Sequence, residues 1–225
     1  MVMKPPVHHT EPTQKRVRAE LGGATVLDST DVLLAWEWPH YPTYYLPRVD
    51  VDGAVAHLAR PQNDEFPDHV RFDWTALDRW FEEDEEVFVH PRDPYSRVDI
   101  VPTSRRVQVL VDGVQVAEST EAMFLFETRL PRRTYLPPEH VDLELAASSG
   151  THTRCPYKGV ANYWSFEIDN ELHEDIAWFY PDPVWQARPV IDRICFFDEK
   201  VTTLVDGVED ARPKSIFSSE IDPQP

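Results

Sequence analysis

Glycine is scarce: seven of 225 residues, with no two in a Gly-x-Gly arrangement. That scarcity excludes the dinucleotide fingerprint and the phosphate-cradling P-loop, because both need glycine where backbone closes on phosphate. No Gly-x-Ser-x-Gly elbow is present, so an ordinary serine hydrolase would lack its nucleophile. Cysteine is scarcer still. Cys155 and Cys195 are too few for a disulfide framework and lack the paired spacing of a zinc site, although a single bridge between them stays open. Basic residues are outnumbered, 22 against 40 acidic ones, and the net charge of −18 repels nucleic-acid phosphates and anionic lipid headgroups alike. No apolar run approaches the roughly 20 residues of a membrane span, and the start lacks the basic-then-apolar order of a signal peptide. The chain is therefore read as cytoplasmic, with neither nucleic acid nor membrane as a partner and with no metal or cofactor.

An internal repeat is present. Sliding the sequence by 90 positions aligns residues 16–52 with 106–142 without a gap, and 12 of the 37 pairs are identical; chance at average composition gives about two or three. The matches include Gly23 with Gly113, Glu37 with Glu127, and Tyr45-Leu46-Pro47 with Tyr135-Leu136-Pro137. This predicts a mainly β protein of two tandem compact modules with few short helices: a flexible leader 1–14 containing His8-His9, modules at 15–95 and 96–212, and a tail 213–225. The modules are expected to pack on each other.

Strand signals open each copy. Val107, Val109 and Val111 alternate up to Asp112-Gly113, a positive-φ turn pair, and Gly22-Gly23 and Asp206-Gly207 do the same work elsewhere. Further strands are expected within 32–38, 97–101, 122–127, 163–168, 175–180 and 190–197, all rich in β-branched or aromatic residues. The spacing of Trp74, Leu77, Trp80 and Phe81 predicts a short helix that stops at the acidic run 82–86, itself read as a solvated connection. Weaker helical signals cover 51–59 and 141–147.

One motif stands out, in the second copy alone. Thr153-Arg154-Cys155-Pro156-Tyr157-Lys158-Gly159, followed by Ala161-Asn162-Tyr163-Trp164, resembles the signature of the bacterial domain-of-unknown-function family 427. Glu127, Tyr135-Leu136-Pro137 and Trp178-Phe179-Tyr180-Pro181 match that family's other marked positions. The resemblance implies a compact, mainly β module with a concave pocket. The family is sometimes labelled nucleotidyltransferase-like, but no Gly-Ser pair precedes spaced aspartates here, as such chemistry would want.

Read chemically, an ammonium three residues after Cys155 favours its thiolate, so Cys155 is a candidate nucleophile with Lys158 and Glu127 in support; the alternative is a small buried hydrophobe anchoring the loop. Lys158 is equally a candidate anchor for a ligand carboxylate or phosphate, as against a surface lysine paired with an acidic neighbour. Tyr135, Tyr163, Trp178 and Tyr180 are candidate walls for an unknown small molecule, with Trp178 and Tyr180 on one strand face. Glu127 recurs as Glu37 in the copy without the motif, which favours a structural role for it. His173-Glu174-Asp175 reads as a solvated turn, and Cys195 as core. Three functions remain in view: a small-ligand-binding module, a thiol enzyme, and an interaction scaffold.

Overall fold

The computed structural model describes residues 5–61, 63–215 and 217–218. The chain divides into two compact units, Met1–Ser96 and Arg97–Pro225. The protein is mainly β. Its helical segments are short 3-10 turns, and every strand pairing between named strands is antiparallel.

The first module contains β1 (Thr10–Thr13), β2 (Val17–Leu21), β3 (Ala24–Ser29), β4 (Val32–Ala35), β5 (Thr43–Pro47), β6 (His69–Val70), β7 (Arg79–Glu82) and β8 (Glu85–Val87). They form two four-stranded sheets, β1-β4-β5-β6 and β3-β2-β7-β8. Both sheets contribute to one core, which includes Val17, Ala19, Leu34, Trp36, Tyr44, Leu46 and Trp80. The second module contains β9 (Val98–Thr103), β10 (Val107–Val111), β11 (Val114–Ser119), β12 (Ala122–Glu127), β13 (Arg133–Leu136), β14 (Ala146–Cys155), β15 (Gly159–Ile168), β16 (Glu171–Phe179), β17 (Ile194–Phe196), β18 (Thr202–Val205) and β19 (Val208–Glu209). Here a seven-stranded sheet, β14-β15-β16-β17-β13-β12-β9, shares its core with the sheet β11-β10-β18-β19.

The repeat is exact in register. Tyr45 faces Leu33 as Tyr135 faces Met123, and the ladder slips after Ala19 in one copy and after Val109 in the other. The hairpin turns take the positive-φ pairs their residues foretell: Gly22-Gly23 at 61° and 79°, Asp112-Gly113 at 49° and 83°, Asp206-Gly207 at 54° and 79°. The copies also reconverge where the sequences show no alignment. Val17 pairs with Glu82 as Val107 pairs with Val205, so the hairpin β7-β8 takes the place of β18-β19. Likewise Leu46 pairs with Val70 as Leu136 pairs with Ile194, which sets β6 in the place of β17. The second module differs by the long strands β14, β15 and β16, inserted between these shared points.

Several expectations are corrected. The helix expected over Trp74 to Phe81 is instead a 3-10 turn, Trp74–Ala76, followed by β7, with the Trp74 and Trp80 rings stacked 5.1 Å apart. The acidic run is the tip of the β7-β8 hairpin, and Glu82 is buried, accepting from Tyr44 Oη at 2.7 Å and Lys15 Nζ at 2.5 Å. The weak helices reduce to the 3-10 turns Gly53–Leu58 and Leu143–Leu145. His173, Glu174 and Asp175 lie within β16 rather than in a turn. Within the leader, Thr10–Thr13 is a strand paired to β4, and His8 N donates to Trp36 O at 2.8 Å.

Candidate functional site

Directly opposed residues on neighbouring strands point to the same side of a sheet, and successive residues alternate. In the seven-stranded sheet Phe124, Leu136, Ala177, Ile194 and Phe196 face the core. The row opposed through the ladder as Tyr163, Trp178, Cys195, Tyr135 and Met123 therefore faces the other way. Glu127 lies on that side by alternation from Met123, and Cys155 by alternation from Thr153, which pairs with Ala161. Tyr180 follows Trp178 at the same parity. Six of the seven candidate site residues thus belong to the face of the sheet turned away from the hydrophobic core.

Lys158 reaches this face from the turn that joins β14 to β15. Its backbone is tied on both sides, Lys158 N donating to Cys155 O at 3.3 Å and Val184 N donating to Lys158 O at 3.1 Å. Gly159 makes the turn possible: its φ is +108°, and a Cβ there would sit 3.2 Å from Asp182 O and 3.4 Å from Pro183 Cα. Gly159→Ala is accordingly expected to cost at least about 1 kcal/mol in backbone strain and to displace Lys158. The check is a lowered urea midpoint together with a changed rate of Cys155 alkylation.

The Lys158 ammonium donates to the Glu127 carboxylate, and the two side chains are only 11% and 9% exposed. Burial pulls the Lys158 pKa down, but the nearness of Cys155 and the charge and hydrogen bond of the Glu127 carboxylate more than reverse this, leaving it above the ordinary lysine value. Lys158 is thus held as an ammonium between a carboxylate and a thiol. Burial above all pushes the Tyr135 and Tyr180 phenols well up, and Cys155 and Glu127 are among the neighbours that add to it.

The aromatic residues share this face with the cluster. Tyr135, Trp178 and Tyr180 are buried, and Trp178 Nε1 donates to Tyr135 Oη at 3.1 Å. Tyr163 is half-buried, its hydroxyl 2.8 Å from Thr153 Oγ1, and its pKa is raised by burial. Both cysteines are free thiols; Cys155 is partly exposed and Cys195 buried.

A second charged group on the same face was not singled out from the sequence. Arg133 is 6% exposed and makes a bidentate pair with Glu199, at 2.7 and 2.8 Å, with Asp198 at 3.4 Å. Its guanidinium also lies 5.6 Å from the Trp178 ring centroid and 5.5 Å from that of Phe217. Ser215 donates to Glu199, so the segment expected to be a tail contributes contacts here. The signal available was parity, since Arg133 lies two residues from Tyr135 on one strand. Away from this face, Asp112, Glu171 and His173 bring ligand-type atoms within 4.8 Å of one another, all on exposed or half-exposed side chains.

Fold and site together define a class of protein: a tandem of antiparallel two-sheet modules, one of them carrying a buried lysine–carboxylate pair beside a thiol. The chain belongs to the family described as domain of unknown function DUF427, whose model matches residues 9–81 and 99–207. Both matches end at the equivalent closing hairpins. No curated protein matches the chain. No helix among the described residues is long and apolar enough to cross a membrane.

Proposed function

We propose that the second module is a small-ligand-binding unit, its polar anchor the Lys158–Glu127 pair and its approach the side where Cys155 and Tyr163 are partly exposed. The observation that carries this reading is the arrival of Lys158 and Cys155, from the β14–β15 turn, and of Glu127, from the end of β12, at one place on the face opposite the core. A desolvated ion pair contributes little to stability compared with apolar packing, so its presence on a face rich in aromatic residues fits a recognition role. A metabolite thermal-shift screen on the full chain tests it. A ligand at 100 times its dissociation constant is expected to stabilise by about 2.7 kcal/mol, and the charge-free pair Lys158→Met/Glu127→Gln is expected to abolish the shift. Absence of any hit would favour the scaffold reading.

A second reading, a thiol enzyme with Cys155 as nucleophile and Lys158 and Glu127 in support, draws on the partial exposure of Cys155 beside the Lys158 ammonium. Iodoacetamide at neutral pH is expected to label Cys155 about tenfold faster than a free thiol, and Lys158→Met to remove that advantage. Cys195, fully buried, is the internal control and is expected to stay unlabelled in the native protein. Labelling of Cys155 no faster than a free thiol would end the enzyme reading and leave the binding one standing.

A further inference from the structure

The first module keeps the Glu and Tyr of the repeat but has no counterpart of β14 to β16. The face that these strands share in the second module is occupied in the first by a hollow of about 270 Å³, lined among others by Thr10, Glu37, Tyr45, Asn63, Glu65 and Phe66. The alternation that places Glu127 and Tyr135 on the site face places Glu37 and Tyr45 on this one.

The polar groups of the hollow are arranged toward negative charge. Asn63 Nδ2 donates to Tyr45 Oη at 2.9 Å, and Tyr45 Oη donates in turn to Glu37 Oε1 at 2.9 Å. Glu37 Oε2 accepts from Thr43 at 3.1 Å and retains a second acceptor site, since each carboxylate oxygen offers about two. Arg71 reaches Glu37 Oε1 at 3.3 Å from the wall of a neighbouring hollow. The Glu65 carboxylate has no hydrogen-bond partner among the described residues. The Tyr45 and Phe66 rings stand 4.6 Å apart. Among the described residues the walls hold two carboxylates and the imidazoles of His8 and His9, and no lysine or arginine.

We propose that the first module binds a small organic ammonium ion in this hollow. The second module supplies the precedent within the same chain: there the repeat's Glu is met by a buried lysine ammonium on the face that carries the repeat's Tyr. In the first module Glu37 is met instead by Arg71, while Glu65, Tyr45 and Phe66 line a space of ligand size, and the ammonium that fills it comes from outside. Aromatic faces beside carboxylates attract such cations, and the net charge of −18 raises their local concentration.

The test is titration calorimetry of the full chain with benzylammonium, benzyl alcohol and benzoate, three head groups on one skeleton. Benzylammonium is expected to bind at least about tenfold more tightly than the alcohol, with benzoate giving no heat. Glu65→Gln, at an exposed position, and Phe66→Ala are each expected to weaken it about fivefold or more. Lys158→Met/Glu127→Gln, in the other module, is expected to leave it unchanged, which separates this site from the one proposed above. Equal binding of the alcohol, no binding of the ammonium, or full retention of affinity in folded Glu65→Gln and Phe66→Ala would overturn the proposal.

Discussion

Glu127→Gln is expected to destabilise the second module by about 3–5 kcal/mol, because it leaves the Lys158 ammonium buried with its carboxylate partner removed. The pair is 11% and 9% exposed, so water cannot take over the role of the carboxylate without opening the turn at Gly159. Replacing both partners removes the penalty along with the attraction, and Lys158→Met/Glu127→Gln is expected to recover most of the loss. Urea midpoints of the two single variants and the double variant give the coupling directly. The pH dependence has a definite sign. The Lys158 pKa is raised on folding, so its contribution is complete below the ordinary lysine value and disappears as pH climbs through the raised one. A Glu127→Gln protein as stable as the parent would show that the pair is solvated in practice.

Arg133→Met is expected to cost a similar amount, about 3–5 kcal/mol, by stranding Glu199 and Asp198. Burial alone pushes the Glu199 pKa up; hydrogen bonds from Arg133 and Ser215 and the Arg133 charge more than reverse it and hold it below the ordinary value. Its contribution is therefore present above the ordinary glutamate range and lost as pH falls through the lowered value. The deficit of the variant is expected to be largest near neutral pH and to shrink in acid. A local readout accompanies the global one. Phe217 and Ser215 contact Arg133 and Glu199, so the variant is expected to be cut faster by trypsin at the exposed Lys214, and Glu199→Gln to a lesser degree.

Much of the fold could be read from the sequence because its strongest signals are local. The Asp-Gly and Gly-Gly turns, the valine alternation and the 90-residue offset each specify backbone geometry within a few residues. Strand β12 runs from Ala122 to Glu127, as its residues predict. The Trp74 segment failed for a physical reason: four apolar residues at helical spacing over so short a span fit a helix stripe as well as a turn leading into a strand. Pairing with β2 in the same sheet decided the outcome, and pairing across more than 50 residues leaves no local mark. Strand β1 was hidden for a related reason. Thr-Glu-Pro-Thr has no alternation of its own and is held by backbone bonds to β4. The Cys155-Lys158 part of the site was visible as a motif within one turn, whereas Arg133, Glu199 and the contact with Ser215 are assembled from distant segments and carried no motif.

The shared registers on either side of β14 to β16 bear on how such a chain can change over time. Both modules leave the common frame after Asp52 or Asp142 and rejoin it at a strand beside β5 or β13, then at the closing hairpin. The frame's own turns and sheet ladders are the same whether the interval holds a short loop or three long strands. The interval behaves as an interchangeable cassette. New chemistry can be tried there at little risk to the fold, and a fused second copy leaves one frame occupied while the other is remodelled.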